Sequence, residues 1–392
     1  MSSSPASPPP GQSASPPLIS DPAAFRALMT RLETEPLIAL DTEAASFHRY
    51  RDRVYLLQLS TREATVVVDP LAVEDLGDFG AMLADRAVEI VFHDADYDLR
   101  LLGREFGFVA TNLFDTRIAA QLLNEPGIGL AALLEKYVGV KLDKRFQRAD
   151  WSGRPLSAGM LEYAASDTHY LPTLRDILES RLAEMGRLEW AREEFALLEQ
   201  TAWAGEPPDE PGWLRMKGAK ALRPRQLAIL RELYEWRDAL AQRLDRAAFR
   251  IMNNDPIFTM ARTPPENLEA LTGVPGIGRE IVARRGEEIL AAIERGRAVP
   301  ESQLPRVERP ARRAPDPELD ARVERLKTVR NAAATRVDLP PGVVCPNGTL
   351  EAVARAAPRS LEELAAIPGV RRWQVDVLGS DLVTAAGAVR TP

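Results

Sequence analysis

The sequence predicts an α/β domain with a mixed sheet, followed by two all-α helical domains. Two observations lead to this fold class. Short apolar or β-branched segments alternate with helical segments in the first half of the chain, whereas the second half is helical almost throughout. In addition, part of the second half repeats at a constant offset, as expected for a duplicated module. The length of 392 residues also favours several domains over one.

The predicted strands of the first domain are short and apolar, and they lie at 37–42, 54–60, 65–69 and 88–93. The first three are so close in sequence that we expect an antiparallel meander. Helical spacing of apolar residues predicts helices near 72–84 and at 94–107, 115–123, 129–139 and 157–186. Asp94 is the expected N-cap of the helix over 94–107 and Gly107 its end, and we expect Pro172 to kink the last helix.

The second half contains two related helical segments. NLEALTGVPGIG (267–278) and SLEELAAIPGVR (360–371) match at an offset of 93 residues, and Arg237 and Arg330 correspond at the same offset. We therefore expect duplication of one helical module. The turn VPGIG at 274–278 fits either a plain turn before a helix or a turn whose backbone amides bind phosphate.

Composition and linker-like segments set the predicted boundaries along the chain. They are a disordered tail over 1–20, the first domain over 21–200, a linker over 201–218, the first helical domain over 219–297, a linker over 298–316 and a second, divergent helical domain over 317–392. The tail is rich in Ser and Pro, carries no charge and lacks the features of a signal peptide.

Composition also excludes several classes of protein. No apolar run approaches the roughly 18 residues of a membrane span, so we expect no membrane insertion. The single cysteine, Cys345, excludes an intramolecular disulfide framework and fits a cytoplasmic protein. Residues 21–200 hold 31 acidic and 20 basic side chains, whereas residues 201–392 hold 26 and 30. The second half is therefore the better match for a polyanionic partner.

Three acidic elements are candidates for the functional site. Asp41 and Glu43 end the first predicted strand, and at i and i+2 their side chains point to the same face. Asp98 lies one turn into the helix after the fourth strand, and Tyr163 and Asp167 are i and i+4 on a helix. Each element alone is typical of a turn, a cap or a surface pair. If they converge, four carboxylates share one pocket and cannot all stay ionised without cations.

Oxygen ligands without His or Cys suit Mg²⁺ or Mn²⁺. Two such ions about 4 Å apart can clamp the attacking and leaving oxygens of a phosphodiester. Tyr163, with an ordinary pKa near 10, is better suited to orient a water molecule than to deprotonate it. The residues thus predict a phosphodiester hydrolase that needs two divalent cations.

The order of these motifs resembles a known family. DxE, then HDADYDLRLL, then DWSGRPLSAGMLEYAASDTHYL is similar to ribonuclease D, a tyrosine-type member of the DEDD 3′→5′ exonucleases. The two helical repeats resemble the HRDC (helicase and RNase D C-terminal) modules that follow in that family. Residue 162 is Glu rather than the His of the histidine-type branch. The resemblance covers most of the chain.

This resemblance implies an RNase H-like fold for the first domain. It implies that the metal ligands are Asp41, Glu43, Asp98 and Asp167, and that Tyr163 positions the nucleophilic water. It also implies a 3′→5′ exoribonuclease that releases nucleoside 5′-monophosphates, with tRNA precursors and other small structured RNAs as substrates.

Two further residues are weaker candidates for substrate binding. His93 ends a strand just before the Asp98 helix, although a structural histidine fits the position as well. Trp151 could stack on a base, although core packing suits it better. Two other functions stay open at this point. One is a DNA 3′→5′ exonuclease, because nothing in the motifs reads the 2′-hydroxyl; the other is a non-catalytic nucleic-acid-binding scaffold.

Overall fold

The computed structural model describes residues 16–201, 205, 210–307 and 316–387. Its strands are β1 Leu18–Ile19, β2 Leu37–Ala44, β3 Val54–Ser60, β4 Thr65–Val68, β5 Glu89–Phe92 and β6 Leu113–Asp115. They form one mixed sheet in the order β1-β4-β3-β2-β5-β6. The predicted antiparallel meander is present as β2-β3-β4, and β1, β5 and β6 join it in parallel.

Helices cover this sheet, and in the described residues they are α1 Pro22–Leu32, α2 Pro70–Val73, α3 Gly77–Ala84, α4 Asp96–Phe106, α5 Thr116–Leu122, α6 Leu130–Tyr137, α7 Ala158–His169, α8 Leu171–Glu184 and α9 Leu188–Leu198. The central strands β2 and β3 lie between them. All of β3 is buried, as are residues Leu37–Leu40 of β2. A strand that is covered on both faces needs a nearly continuous apolar sequence, which is the pattern seen in both segments.

Two predictions about helix ends are wrong. Asp94 is not the N-cap of α4: its backbone is left-handed, with φ of 70°, and its side chain forms an ion pair with Arg117. The helix does end at Gly107, whose φ is 72°. The helix predicted over 157–186 is two helices, because Pro172 lies in the first turn of α8, where the missing N–H is not needed.

The predicted tail over 1–20 also needs correction. Residues 1–15 lie outside the described residues, but Leu18 and Ile19 form β1 and pair with β4. The backbone N–H of Val67 donates to the Pro17 carbonyl at 3.0 Å, and that of Asp69 donates to the Ile19 carbonyl at 2.9 Å. An exposed strand edge offers unpaired backbone groups of this kind, so the segment is held as an added strand.

The second half forms two helical units. The first comprises α10 Gly212–Arg215, α11 Pro224–Leu244, α12 Ala248–Ile251, α13 Asn254–Arg262, α14 Leu268–Thr272 and α15 Arg279–Ala298, and the second comprises α16 Pro317–Arg336, α17 Pro341–Val344, α18 Asn347–Ala356, α19 Leu361–Ala365 and α20 Arg372–Ala386. Trp213 and Met216 are buried in the core of the first unit, which therefore begins inside the linker predicted over 201–218. Among the described helices, none is long and apolar enough to cross a membrane.

The two units repeat a buried arginine contact at the predicted offset of 93 residues. In the first unit, Arg237 donates to the Met252 carbonyl at 2.9 Å and to Asn254 Oδ1 at 2.7 Å. In the second, Arg330 donates to the Cys345 carbonyl at 3.3 Å and to Asn347 Oδ1 at 2.7 Å. A buried guanidinium needs such acceptors, so the shared contact supports duplication of one module.

Both units pack against the α/β half. The first contacts the loop after β2: the Ala247 N–H donates to the His48 carbonyl at 3.1 Å, and Tyr50 donates to Asp238 at 2.8 Å. The second contacts α9, where Trp190 and Trp373 stack with ring centroids 4.9 Å apart. Glu193 accepts from the backbone N–H groups of residues 372 and 373 at 2.7 and 3.1 Å. Each of the two helical units therefore has its own contact with the α/β half.

Candidate active site

The site is built first on the end of β2. Asp41 and Glu43 follow the buried apolar half of the strand and are partly exposed. Because side chains alternate along a strand, both lie on the same face of the sheet, as predicted. The pairing of β2 with β3 is irregular between Glu43 and Ala44, so the regular register ends where the acidic residues lie.

Helix α7 brings the next two residues to that face. Its buried side is formed by Ala164, Ala165 and Thr168, and it packs on β2, β3 and β4. Thr168 forms a hydroxyl–hydroxyl hydrogen bond with Ser60 of β3 at 2.7 Å, which fixes the helix on the sheet. Asp167 then lies with Asp41 and Glu43, and one carboxylate oxygen from each of the three lies within 4.8 Å of the others.

Asp98 adjoins this group but is not part of it. It is 6% exposed in the first turn of α4 and accepts a hydrogen bond from the Thr42 hydroxyl at 2.5 Å. Thr42 lies between Asp41 and Glu43 in sequence, so its side chain faces the other side of the sheet. The structure thus brings three of the four predicted carboxylates together and holds the fourth against the strand that carries two of them.

The four carboxyl groups perturb one another. Burial, and then repulsion from Asp167, raises the pKa of Asp41 to about 8. Burial raises the pKa of Asp167 to about 7. Burial and the neighbouring acids hold the pKa values of Glu43 and Asp98 well above their ordinary range. Without a compensating positive charge, the group therefore cannot be fully ionised at neutral pH.

The donor set fits a divalent cation. All candidate ligand atoms are carboxylate oxygens, which are the hard donors that Mg²⁺ and Mn²⁺ prefer, and three of them already lie within reach of one ion. A bound cation would also offset the repulsion that raises these pKa values. On its chemistry and its geometry, the acidic cluster is suited to a metal-dependent reaction.

Tyr163 lies beside this cluster on α7. Its hydroxyl donates a hydrogen bond to Asp167, and burial followed by repulsion from Asp167 raises the pKa of the phenol. The tyrosine therefore stays protonated at neutral pH. Its ring packs against Phe146 and Trp151, with centroids 6.1 and 6.0 Å away.

The weaker candidate Trp151 is a core residue, not a stacking platform. It is 1% exposed, so no base can reach its ring, and the substrate-binding prediction for it is wrong. Its packing against Tyr163 is a structural role that the preference of tryptophan for burial already favours.

His93 has a structural partner. Its Nδ1 lies 2.9 Å from the Thr116 hydroxyl, and that hydroxyl donates to the Phe92 carbonyl at 3.0 Å. Since the hydroxyl proton is already used, the imidazole donates from Nδ1. Burial lowers the pKa of His93 to about 4, so the ring is neutral at pH 7. A contact between His93 and substrate stays a prediction.

A cleft of about 790 Å³ opens between the loop after β2 and the first helical unit and was not predicted from the sequence. Arg49, Arg51 and Arg104 line it from the α/β half, and Phe249 lines it from the first helical unit. Phe249 is 47% exposed and meets the equally exposed Phe47 edge to face, with centroids 6.2 Å apart. The feature of the sequence that could have predicted this cleft is the run of basic and aromatic residues that follows Glu43.

Family profiles match both halves of the chain. The profile described as 3′-5′ exonuclease covers residues 16–183, and the profile described as HRDC domain covers residues 226–293 and 320–385. The first match contains all of the acidic residues and Tyr163. The second matches once in each helical unit.

Similar proteins cover nearly the whole chain. Ribonuclease D of Granulibacter bethesdensis is 32% identical over 94% of this chain and 91% of its own. The crystal structure of Escherichia coli RNase D, an exoribonuclease involved in structured RNA processing, has a TM-score of 0.69 and 26% identity over 94% of this chain and 98% of its own. A protein from Bifidobacterium adolescentis has a TM-score of 0.80 and 25% identity, covering 95% and 97%.

The fold predicted from the sequence, a mixed-sheet exonuclease unit followed by HRDC-like helical units, is therefore confirmed. These matches favour an exoribonuclease over the two functions that the sequence left open, a DNA exonuclease and a non-catalytic scaffold. The chain belongs to the ribonuclease D family and is a 3′→5′ exoribonuclease.

Proposed function

We propose that Asp41, Glu43, Asp98 and Asp167 hold two divalent cations, Mg²⁺ or Mn²⁺, and that the enzyme trims the 3′ ends of tRNA precursors or other small structured RNAs. The observation that carries this proposal is the convergence of three carboxylates within 4.8 Å on the exonuclease unit. The buried cysteine and the absence of a spanning helix among the described residues are compatible with action in the cytoplasm.

The cations, when bound, would supply a nucleophilic hydroxide and would stabilise the charge that develops on the leaving oxygen. The carboxylates of Asp41, Glu43 and Asp167, which converge at the end of β2, would hold this positive charge. Asp98 adds negative charge from α4, with its orientation set by Thr42. Tyr163 orients the attacking water through its hydroxyl, and its raised pKa means that it does not act as the base.

The first helical unit is the better candidate for holding the RNA. In the second unit, the backbone amides at the start of α20 donate to Glu193 of α9. Arg371 also forms an ion pair with Glu194 of α9 at 3.2 Å. The corresponding start of α15 has no side-chain cap at Gly278, and Arg279 is exposed there. The carboxylate bound in the second copy indicates that this turn can bind an anion. An RNA phosphate would occupy the same position in the first copy.

We infer that the cleft between the loop after β2 and the first helical unit holds the RNA strand that leads to the site. Its lining includes three arginines and the acidic Asp52 on the exonuclease side, and Asp238 and the exposed Phe249 on the other. The arginines and the exposed ring suit a phosphate backbone with unstacked bases. A structured RNA could then rest on the first helical unit while its single-stranded 3′ end enters the cleft.

The test uses the full chain and RNA or DNA that carries either a 3′ or a 5′ label, with Mg²⁺ or with a chelator. We expect a 3′ label to be released at once as a nucleoside 5′-monophosphate, and a 5′-labelled RNA to shorten stepwise. Both reactions should stop in chelator. A tRNA precursor with a 3′ extension should be trimmed and then resist further digestion at the folded stem. Equal rates on precursor and on unrelated single strands would contradict the structured-RNA assignment.

A further inference from the structure

Gln58 is a buried amide beside the acidic cluster with no hydrogen-bond partner. Its side chain is 0% exposed, and neither Oε1 nor Nε2 has a partner among the described residues. Gln58 lies on β3 directly opposite Asp41 of β2. Residues directly opposite in an antiparallel pair point to the same face, with Cβ atoms about 5 Å apart. The amide therefore shares its face of the sheet with Asp41.

Among the described residues, the buried Trp151 Nε1 also has no partner, whereas the next residue on this face of β3 is paired. Ser60, two residues along the same face, forms hydrogen bonds with Thr65 at 2.9 Å and Thr168 at 2.7 Å. Gln374 of the second helical unit, the other glutamine that is buried in the described part of the chain, is 4% exposed and accepts from the Arg371 N–H at 3.0 Å. Since a desolvated amide without partners destabilises the folded state, an apolar residue would be expected at position 58 if packing alone mattered.

We propose that Gln58 is a positioning residue that donates from its side-chain amide to the carboxylate of Asp41 when a divalent cation is bound. This inference rests on the metal site proposed above. Asp41 lies directly opposite on the same face, so a rotation of its carboxylate when it holds a cation would bring one oxygen to the unpaired amide. The bond would restrict the rotation of a carboxylate that holds the cation, as partners of metal ligands commonly do.

The test replaces Gln58 with methionine, which has a similar length and no hydrogen-bonding amide, in the full chain. Melting is measured in chelator and over a range of Mg²⁺ concentrations, together with the rate of RNA hydrolysis. We expect Gln58→Met to melt at or above the wild-type temperature in chelator, because an unpaired amide has been removed. We expect half-maximal stabilisation to need about 10- to 100-fold more Mg²⁺, with a parallel loss in Mg²⁺-limited rate.

Gln374→Met is the matched control, because it removes a buried glutamine that has a partner and lies far from the acidic cluster. It should melt below the wild type in chelator and leave the Mg²⁺ requirement unchanged. Gln58→Leu repeats the test with a different apolar shape, in case methionine packs poorly.

The proposal is overturned if the position-58 variants behave like Gln374→Met, with lower melting temperatures and an unchanged Mg²⁺ requirement. That result would mean that Gln58 bonds a buried water or serves packing only. The melting measurement does not depend on turnover. If the wild type bound Mg²⁺ but hydrolysed no RNA, the proposed function would fail while the role of Gln58 would still be decided.

Discussion

Replacing Asp41 with asparagine tests the charge balance of the acidic cluster. The carboxylate has its pKa raised from 3.8 to about 8 by burial and by Asp167. That whole difference would correspond to about 6 kcal/mol, at roughly 1.4 kcal/mol per pH unit. Because the side chain is only partly buried, solvent screens some of the effect, and we expect about 2–4 kcal/mol.

The direction of the pH dependence follows from the raised pKa. Below about pH 3.8 the carboxyl is protonated in both folded and unfolded chains and has no effect on stability. As the pH rises toward 8, the Asp41 carboxyl ionises in the unfolded chain but stays largely protonated in the folded chain. The metal-free folded state therefore loses stability relative to the unfolded state. Asparagine carries no charge at any pH and removes this loss.

The assay is thermal melting of both proteins in chelator at about pH 5 and about pH 8. We expect Asp41→Asn to melt higher, by about 5–10 °C at the upper pH and by less at the lower pH. Mg²⁺ should then stabilise the wild type more than the variant, which should also lose RNA hydrolysis. Asp78→Asn, an exposed acid in the first turn of α3, is the control and should shift little at either pH. The reasoning would be refuted if the difference in melting temperature between Asp41→Asn and the wild type became smaller or changed sign as the pH rises.

Three further predictions concern the phenol and the helical units. Tyr163→Phe should lower kcat on the order of 10²-fold while Mg²⁺ affinity from melting stays near the wild-type value; an unchanged kcat would leave the tyrosine a packing role. A chain truncated after residue 205 should still degrade short unstructured RNA but bind structured RNA with a flatter salt dependence, by roughly 0.7–0.9 in log–log slope for each lost phosphate contact; equal slopes would exclude the helical units from RNA binding. Glu194→Gln should weaken the ion pair with Arg371 and expose α20 to limited proteolysis, whereas Glu189→Gln, an exposed acid on the same helix, should not.

The candidate site was predictable wherever it depends on local spacing. Two acids at i and i+2 on a strand must share a face, and two residues at i and i+4 on a helix must do the same. These rules place Asp41 with Glu43 and Tyr163 with Asp167 without any knowledge of the fold. The repeat was predictable for a similar reason, since an offset of 93 residues is visible in the sequence, and Arg237 and Arg330 make matching contacts.

Helix ends and boundaries were less predictable because they depend on distant partners. Asp94 looks like an N-cap in sequence, yet Arg117 holds its side chain outside the helix. Leu18 and Ile19 follow a Ser/Pro-rich stretch, yet the open edge of β4 makes them a strand. Trp213 lies in a linker-like sequence and is nevertheless buried in the first helical unit.

The sequence by itself determined the acidic residue types, their local faces, the strands β2 to β5 and the duplication. Only the tertiary structure decided that Asp98 is held by Thr42 and that Trp151 is buried. It also decided that Glu193 and Glu194 of α9 bind the start of α20, and that Gln58 lies unpaired opposite Asp41. The physical reason is that chain spacing limits where a side chain points only over a few residues. Contacts such as that of Glu194 with Arg371, 177 residues apart, are set by how all the elements pack together.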